Sequence, residues 1–159
     1  MKKLLILGGS GFVGRSIVDY GINKKLIKDK INSIYILSRS GKLKQNKKKH
    51  INISYINKNV LNIKKFPQVD YIIYCLKDKN IKISSGYFNQ FIKLLKKLKI
   101  KPKILFTSSG AVYGKNNKKK KDKENKKIKI NTVNNFDGYK KNYAKEKIFL
   151  EEKFQELCS

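Results

Sequence analysis

Short apolar runs alternate with amphipathic stretches along most of the chain. Five apolar runs predict strands, at about Lys3–Leu7, Ser33–Leu37, Ile51–Ile56, Asp70–Leu76 and Ile104–Thr107. Apolar residues at helical spacing predict three helices, at about Phe12–Asn23, Phe88–Leu98 and Asn142–Leu157. The first run is continuously apolar, as is typical of a parallel strand covered on both faces. The alternation therefore predicts an α/β domain built on a parallel sheet.

The pattern also predicts which residues face the core and which segments contribute no residues to it. In the first helix, Val13, Ile17 and Val18 are expected to face inward. Ser38–His50 is polar and rich in lysine, which indicates a loop. Residues 115–127 form a low-complexity segment of lysine, asparagine and acid, which can bury no core. No linker divides the chain, so residues 1–159 are predicted to form a single domain.

The charge balance is extreme, with 39 basic residues against 11 acidic ones and a net charge of +28. Such a charge permits nucleic-acid binding. All but two of the basic residues are lysines, the exceptions being Arg15 and Arg39. Arginine, which reads phosphate and guanine with a planar pair of donors, is thus nearly absent. Lysine, asparagine and isoleucine are raised together, so we favour compositional drift in an AT-rich genome and keep nucleic-acid binding as an alternative.

Few residues are available for metal or disulfide chemistry. The chain has two cysteines, Cys75 and Cys158, and one histidine, His50. These form neither a disulfide framework nor a cluster of histidine and cysteine ligands. The apolar run near the N-terminus is too short for a signal peptide, and no run approaches a membrane span. We therefore expect a reducing, cytoplasmic setting, with no metal and no membrane partner.

A glycine-rich turn, GGSGFVG at residues 8–14, joins the first predicted strand to the first predicted helix. Glycines at this place allow a tight turn, close approach of backbone to a pyrophosphate, and close packing of helix on strand. The start of the helix presents N–H groups and partial positive charge to phosphate. The strand–turn–helix context therefore predicts a dinucleotide site.

The spacing Gly8-x-x-Gly11-x-x-Gly14 resembles that of the extended branch of the short-chain dehydrogenase/reductase superfamily, the NAD-dependent epimerase/dehydratase family. The resemblance implies a Rossmann-like doubly wound sheet in the order 3-2-1-4-5, flanked by helices. Members of the family also have a smaller C-terminal substrate domain, which we expect this chain to lack. Cofactor contacts are implied for Gly8, Ser10, Gly11, Phe12, Val13 and Gly14.

The end of the second predicted strand bears on the choice of dinucleotide. Sites that prefer NAD usually place an acid here, to bind the ribose 2′-hydroxyl. Here the chain has Ser38, Arg39 and Ser40, with Lys42 close by. Arg39 can pair with a 2′-phosphate, and the serines can donate to it. NADP is therefore predicted as the cofactor, with NAD as the alternative.

Two further cofactor contacts follow from the resemblance. The family places an acid and an apolar residue after the third strand, against the adenine, and the nearest match is Asn59-Val60. After the fourth strand the family favours small residues beside the nicotinamide ribose, where this chain has the bulkier Leu76.

The fifth predicted strand leads into SSGAVYG at residues 108–114, which resembles the family segment carrying the catalytic serine or threonine. This match assigns the role to Ser109, with Ser108 as the adjacent alternative. A Tyr-x-x-x-Lys follows at Tyr143 and Lys147, whose side chains share one face of a helix.

The resemblance implies a hydride transfer assisted by this trio. Tyr143 would exchange a proton with the substrate oxygen, and Lys147 would stabilise the phenolate by charge and hold the ribose hydroxyls. Ser109 would orient the substrate oxygen. The implied substrate is a nucleotide sugar or a related carbonyl or hydroxyl compound.

Members of the family extend well beyond the Tyr-x-x-x-Lys helix, whereas this chain stops at Ser159. We therefore expect a truncated gene product, a chain completed by a separate one, or a minimal module that binds NADP without catalysis. Apolar residues of the last two predicted helices are also expected to support a homodimer, as these helices do in the superfamily: Phe91, Leu95, Ile148 and Phe154.

Overall fold

The computed structural model describes residues 2–23, 31–39, 52–78, 80–113 and 136–158. Within them lie five strands: β1 (Lys2–Leu7), β2 (Ile31–Ser38), β3 (Asn52–Asn57), β4 (Tyr71–Tyr74) and β5 (Lys103–Phe106). The helices are α1 (Phe12–Asn23), α2 (Ile81–Leu95) and α3 (Gly138–Cys158), with short 3-10 helices at Val60–Asn62 and Gly110–Tyr113. The predicted loop at residues 115–127 lies outside the described residues, as do Ser40 and Lys42.

The five strands form one parallel sheet in the order β3-β2-β1-β4-β5, which confirms the predicted Rossmann-like topology. Strand β1 lies at the centre and pairs with β2 on one side and β4 on the other. The chain first adds strands on the β2 side and then resumes on the β4 side. Ligands of such sheets bind where the direction reverses, beyond the carboxyl ends of the strands.

The described residues fall into two compact units. The first unit is Met1–Lys77 with Gly86–Thr107 and holds the whole sheet. The second unit is Asp78–Ser85 with Ser108–Ser159 and holds α3 and the second 3-10 helix.

In the first unit, apolar side chains cover both faces of the sheet. One face buries strand residues against Val18 of α1, with Ile17 packed beside them; the strand residues are Leu4, Ile6, Ile34 and Ile36. On the other face, the Tyr74 ring packs edge-on against Phe91 of α2, with ring centroids 5.2 Å apart. Helices on opposite faces explain why β1 is continuously apolar from Leu4 to Leu7, since Leu5 and Leu7 are as buried as Leu4 and Ile6.

Three predictions about the helices need correction. Val13 does not face the core: it is 43% exposed, in the first turn of α1. Helix α2 begins at Ile81 rather than Phe88, although Ser84, Ser85 and Gly86 are weak helix formers. Helix α3 begins at Gly138 rather than Asn142. In the part of the chain that the structure describes, no helix is long and apolar enough to cross a bilayer.

Most of the apolar residues expected to form a dimer interface are instead buried by packing within the chain. Phe91 is fully buried, and Ile148 and Phe154 are each 8% exposed. Ile148 packs in a cluster with Val112 and Ala144 in the second unit. The homodimer stays a prediction, with less apolar surface to support it than the sequence indicates.

Candidate functional site

In the glycine turn between β1 and α1, side chains at Gly8 and Gly14 would clash with backbone. Gly8 has a φ of +85°, and a Cβ there would lie 2.8 Å from the Cys75 carbonyl oxygen. A Cβ on Gly14 would lie 2.5 Å from the Gly8 carbonyl oxygen and 2.7 Å from Gly9 Cα. Real Cβ contacts are not this short, so Gly14 allows α1 to pack directly on the turn.

Backbone hydrogen bonds hold the turn against β2. The amides of Gly8 and Gly9 donate to the Leu37 carbonyl at 2.9 and 3.2 Å, and the Gly11 amide donates to the Gly8 carbonyl at 3.0 Å. Helix α1 then begins at Phe12. The first N–H groups of a helix have no acceptor within it and carry partial positive charge, so this end of α1 is suited to phosphate.

A cavity of about 200 Å³ lies in the first unit, beyond the carboxyl ends of β1, β2 and β4. Its volume is below the roughly 300–1,000 Å³ of common ligand pockets, so it can enclose one end of a dinucleotide. The described residues that line it include no carboxylate. They are Gly8, Ser10, Gly11, Leu37, Ser38, Arg39, Asn59, Val60, Cys75, Leu76, Lys77 and Tyr87.

Most of the predicted cofactor residues meet in this cavity. Phe12 and Val13 do not line it; they lie at the exposed start of α1, where Phe12 is 89% exposed. Gly14 acts from behind the turn rather than from the cavity wall. Sequence reasoning missed Tyr87, for which there is no local signal, because Tyr87 reaches the cavity only through the packing of α2 on the sheet.

Arg39 lies directly after β2, on the cavity wall. Its Nη1 donates to the Tyr87 hydroxyl oxygen at 3.2 Å. Arg39 is exposed, whereas its neighbour Ser38 is only 3% exposed and Tyr87 is equally buried. A guanidinium therefore faces the cavity with a hydrogen bond to a buried tyrosine on one side.

Asn59 and Val60 lie together where the chain leaves β3. The Asn59 side-chain oxygen accepts from the Leu61 amide at 3.1 Å and so caps the first 3-10 helix. Val60 is 2% exposed and presents an apolar surface. A carbonyl oxygen can accept two hydrogen bonds, so the capping role is compatible with a second contact to a ligand.

Tyr143 and Lys147 come together in the second unit, on one face of α3. Lys147 Nζ lies 5.9 Å from the centroid of the Tyr143 ring. Lys147 is 3% exposed, which is unusual for a lysine, and the Tyr143 ring stacks on that of Tyr139 with centroids 6.1 Å apart. The ammonium and the aromatic ring are thus held as a pair.

Ser109 lies where the second 3-10 helix begins, in the same unit as α3. Its Oγ accepts from the Ala111 amide at 3.2 Å, and its carbonyl accepts from the Val112 amide at 3.1 Å. Val112 packs on Ala144 of α3, one residue after Tyr143. The alternative residue, Ser108, instead donates its hydroxyl to the Glu151 carboxylate.

Glu146, beside Lys147, is a buried acid that sequence reasoning missed. It is 1% exposed, and its Oε1 accepts from the Ser84 hydroxyl at 2.7 Å and from the Asp78 amide at 3.2 Å. Among the described residues its Oε2 has no hydrogen-bond partner. The available signal was its spacing, since Glu146, Leu150 and Phe154 recur every four residues on the inward face of α3.

Glu146→Ala is expected to lower the free energy of unfolding by about 1–3 kcal/mol, because it leaves the buried Ser84 hydroxyl without its acceptor and removes one of the two acceptors of the Asp78 amide. Glu146→Gln retains an acceptor oxygen and should retain most of the stability. Unfolding in urea, with linear extrapolation, measures both. The exposed Glu152→Ala on the same helix is the control, and equal losses in the two alanine variants would contradict the prediction.

Solved structures share this fold at low sequence identity. Against dTDP-glucose 4,6-dehydratase from Bacillus anthracis, solved in complex with NAD, the TM-score is 0.64 with 18% identity, over 94% of this chain and 49% of that one. Against vestitone reductase from alfalfa the TM-score is 0.66 with 15% identity, over 99% of this chain and 52% of that one. Against uronate dehydrogenase from Agrobacterium tumefaciens the TM-score is 0.52 with 14% identity, over 72% of this chain and 43% of that one. The chain thus spans about half the length of these proteins.

No curated protein matches the chain at the level of sequence. The family model described as the NAD dependent epimerase/dehydratase family matches residues 4–155. This match covers β1 to α3 and includes the glycine turn, the cavity residues and the Tyr-x-x-x-Lys helix. The chain therefore belongs to the NAD-dependent epimerase/dehydratase family.

Proposed function

We propose that the cavity of the first unit binds the adenosine end of NADP and that the chain serves hydride transfer. The observation that carries the proposal is the lining of the cavity, where the glycine turn meets Ser38 and Arg39 without any carboxylate among the described residues. Binding of a dinucleotide follows from the family. The preference for NADP is our inference from the charges.

The residues present fit a dinucleotide. Backbone can approach a pyrophosphate closely at the turn, because Gly8 and Gly11 line the cavity without side chains. The start of α1 offers partial positive charge to the same group. Asn59 and Val60 would hold the adenine, and Leu76 would lie toward the nicotinamide ribose.

The charges at the cavity favour a phosphate on the ribose. An acid after β2 would accept hydrogen bonds from ribose hydroxyls but would repel a 2′-phosphate. Here Arg39 supplies a planar set of donors, Ser38 supplies a hydroxyl, and Lys77 adds a second cation to the wall. The Arg39 guanidinium would be compensated by the 2′-phosphate of NADP, whereas NAD has no charge at that position.

Three residues of the second unit would carry the chemistry. When bound, the nicotinamide supplies or accepts a hydride. Tyr143 would give a proton to the substrate oxygen or take it away, and the Lys147 ammonium would stabilise the phenolate. Ser109 would donate a hydrogen bond to the substrate oxygen, because a hydroxyl that accepts a hydrogen bond from the Ala111 amide can still donate one. We expect a nucleotide sugar or a related carbonyl compound as substrate.

The alternative of nucleic-acid binding rests on net charge alone. Residues 115–127, with eight lysines against two acids, carry +6 of the net +28 and lie outside the described part of the chain. Among the described residues, no observed cavity or stacking surface favours it over the dinucleotide site, so we do not propose it.

Arg39→Ala is expected to weaken NADPH binding by about ten- to a hundredfold, because a hydrogen bond to a charged group contributes about 1.5–3 kcal/mol. NADH binding should fall much less. The fluorescence of the bound reduced nicotinamide measures both affinities. Arg15→Ala, which removes the other arginine from an exposed position outside the cavity, is the matched control. Equal losses for the two dinucleotides would contradict the proposed NADP site.

A further inference from the structure

The hydrogen bond between Arg39 and Tyr87 joins two very different side chains. Arg39 is exposed at the cavity, one residue past β2, whereas Tyr87 is 3% exposed in α2. Both line the cavity, and the 3.2 Å bond runs from Arg39 Nη1 to the Tyr87 hydroxyl oxygen. A side chain with many rotamers is therefore tied to one that the core holds in place.

The tether reduces a cost that ligand binding would otherwise carry. An arginine loses more rotamer freedom than most residues when it is fixed. If the guanidinium is already held at the cavity wall, less of that freedom is lost when the ligand arrives, and affinity rises accordingly. A buried residue is a suitable anchor, since its own rotamer is set by packing.

The chemistry of the anchor matters as much as its position. A carboxylate in place of Tyr87 would hold Arg39 more strongly, but it would also neutralise the guanidinium. The phenol oxygen of Tyr87 accepts a hydrogen bond from Arg39 without placing a negative charge beside the guanidinium. A guanidinium has five N–H donors, and the bond to Tyr87 occupies only one of them.

We propose that Tyr87 is a positioning residue that holds Arg39 for the 2′-phosphate of NADP and thereby strengthens the preference for NADP over NAD. The inference rests on the NADP site proposed above. A phosphate matches the planar donors of a fixed guanidinium, whereas a ribose 2′-hydroxyl gains much less from them. Fixing Arg39 therefore changes the ratio of the two affinities and not only their size.

The test is the ratio of the dissociation constants of NADH and NADPH, measured by nicotinamide fluorescence, with 2′,5′-ADP as a competing probe of the phosphate subsite. Tyr87→Phe keeps the buried ring and removes only the hydroxyl. We expect the ratio to fall about three- to tenfold, the effect of one hydrogen bond. In an Arg39→Ala background, Tyr87→Phe should change the ratio by less than about twofold, because the two residues act together.

Two further variants keep the test decisive. Tyr35→Phe, in β2 but outside the cavity lining, is the matched control and should leave the ratio unchanged. Arg39→Lys is a surface change that does not disturb the core. It should lower the ratio as well, because an ammonium lacks the planar donors.

An unchanged ratio of dissociation constants in Tyr87→Phe would overturn the inference. If Tyr87→Phe lowered the ratio equally with and without Arg39, the tyrosine would have only a packing role, and the inference would also be overturned. Full retention of the ratio in Arg39→Lys would also overturn it. These results differ from failure of the NADP site itself, in which the unaltered protein binds neither dinucleotide or prefers NADH.

Discussion

Gly14→Ala is expected to weaken NADPH binding by about ten- to a hundredfold, because the turn that holds the pyrophosphate would be displaced and each 1.4 kcal/mol lost is about tenfold in affinity. The added Cβ would lie 2.5 Å from the Gly8 carbonyl oxygen, so α1 and the turn would have to separate. Alanine normally favours a helix over glycine by about 1 kcal/mol, but overpacking against backbone costs about 1–3 kcal/mol. The clash therefore outweighs the gain in helix propensity, and the free energy of unfolding should also fall.

Gly86→Ala provides the matched control for this prediction. Gly86 lies in α2, and a Cβ there would meet only Leu61 Cδ2, at 4.0 Å. The same substitution should therefore stabilise the protein slightly or leave it unchanged. Urea unfolding and NADPH titration measure both variants, and a Gly14→Ala protein that binds NADPH as the unaltered chain does would contradict the role assigned to the turn.

Tyr143→Phe is expected to slow the oxidation of NADPH by about a hundred- to ten-thousandfold, the usual contribution of a positioned proton donor. The substitution retains the ring that lies beside the Lys147 ammonium and stacks on Tyr139. Only the hydroxyl is lost, so NADPH affinity should change little. The loss of absorbance of the reduced nicotinamide, followed with a panel of nucleotide sugars and simpler carbonyl compounds, measures the rate.

Tyr139→Phe is the control for this second prediction. Tyr139 lies one turn earlier on α3, is 52% exposed and has the same kind of ring in the same stack. It should retain nearly full activity. Equal rates in Tyr143→Phe and the unaltered chain would contradict the assigned role. Tight NADPH binding without turnover of any compound in the panel would favour the non-catalytic module.

Local pattern was sufficient to predict the sheet. The apolar runs of β1 and β4 and the glycines between β1 and α1 are strong local signals, and the family resemblance supplied the strand order. The start of α2 was not predictable in the same way. Ser84 and Gly86 disfavour a helix locally, and the Ser84 hydroxyl is held by the Glu146 carboxylate, more than sixty positions further along the chain.

The positions of most cavity residues were predictable, because they lie at or just after the carboxyl ends of strands. Arg39 stood out as one of two arginines among many lysines. Its partner Tyr87 did not stand out, since nine tyrosines are present and only the packing of α2 selects this one. The exposure of Val13 was missed for a related reason: spacing alone does not show that the first turn of α1 lies beyond the core.

The binding of NADPH by the unaltered chain, compared with that of NADH in one fluorescence titration, tests the central claim most directly. Concentrations of about 1 μM to 1 mM cover the range in which such enzymes commonly work. A saturable signal is predicted for NADPH, with a lower dissociation constant than for NADH and displacement by 2′,5′-ADP. Absence of saturable binding by either dinucleotide, or tighter binding of NADH, would contradict an NADP site at Arg39 and the glycine turn.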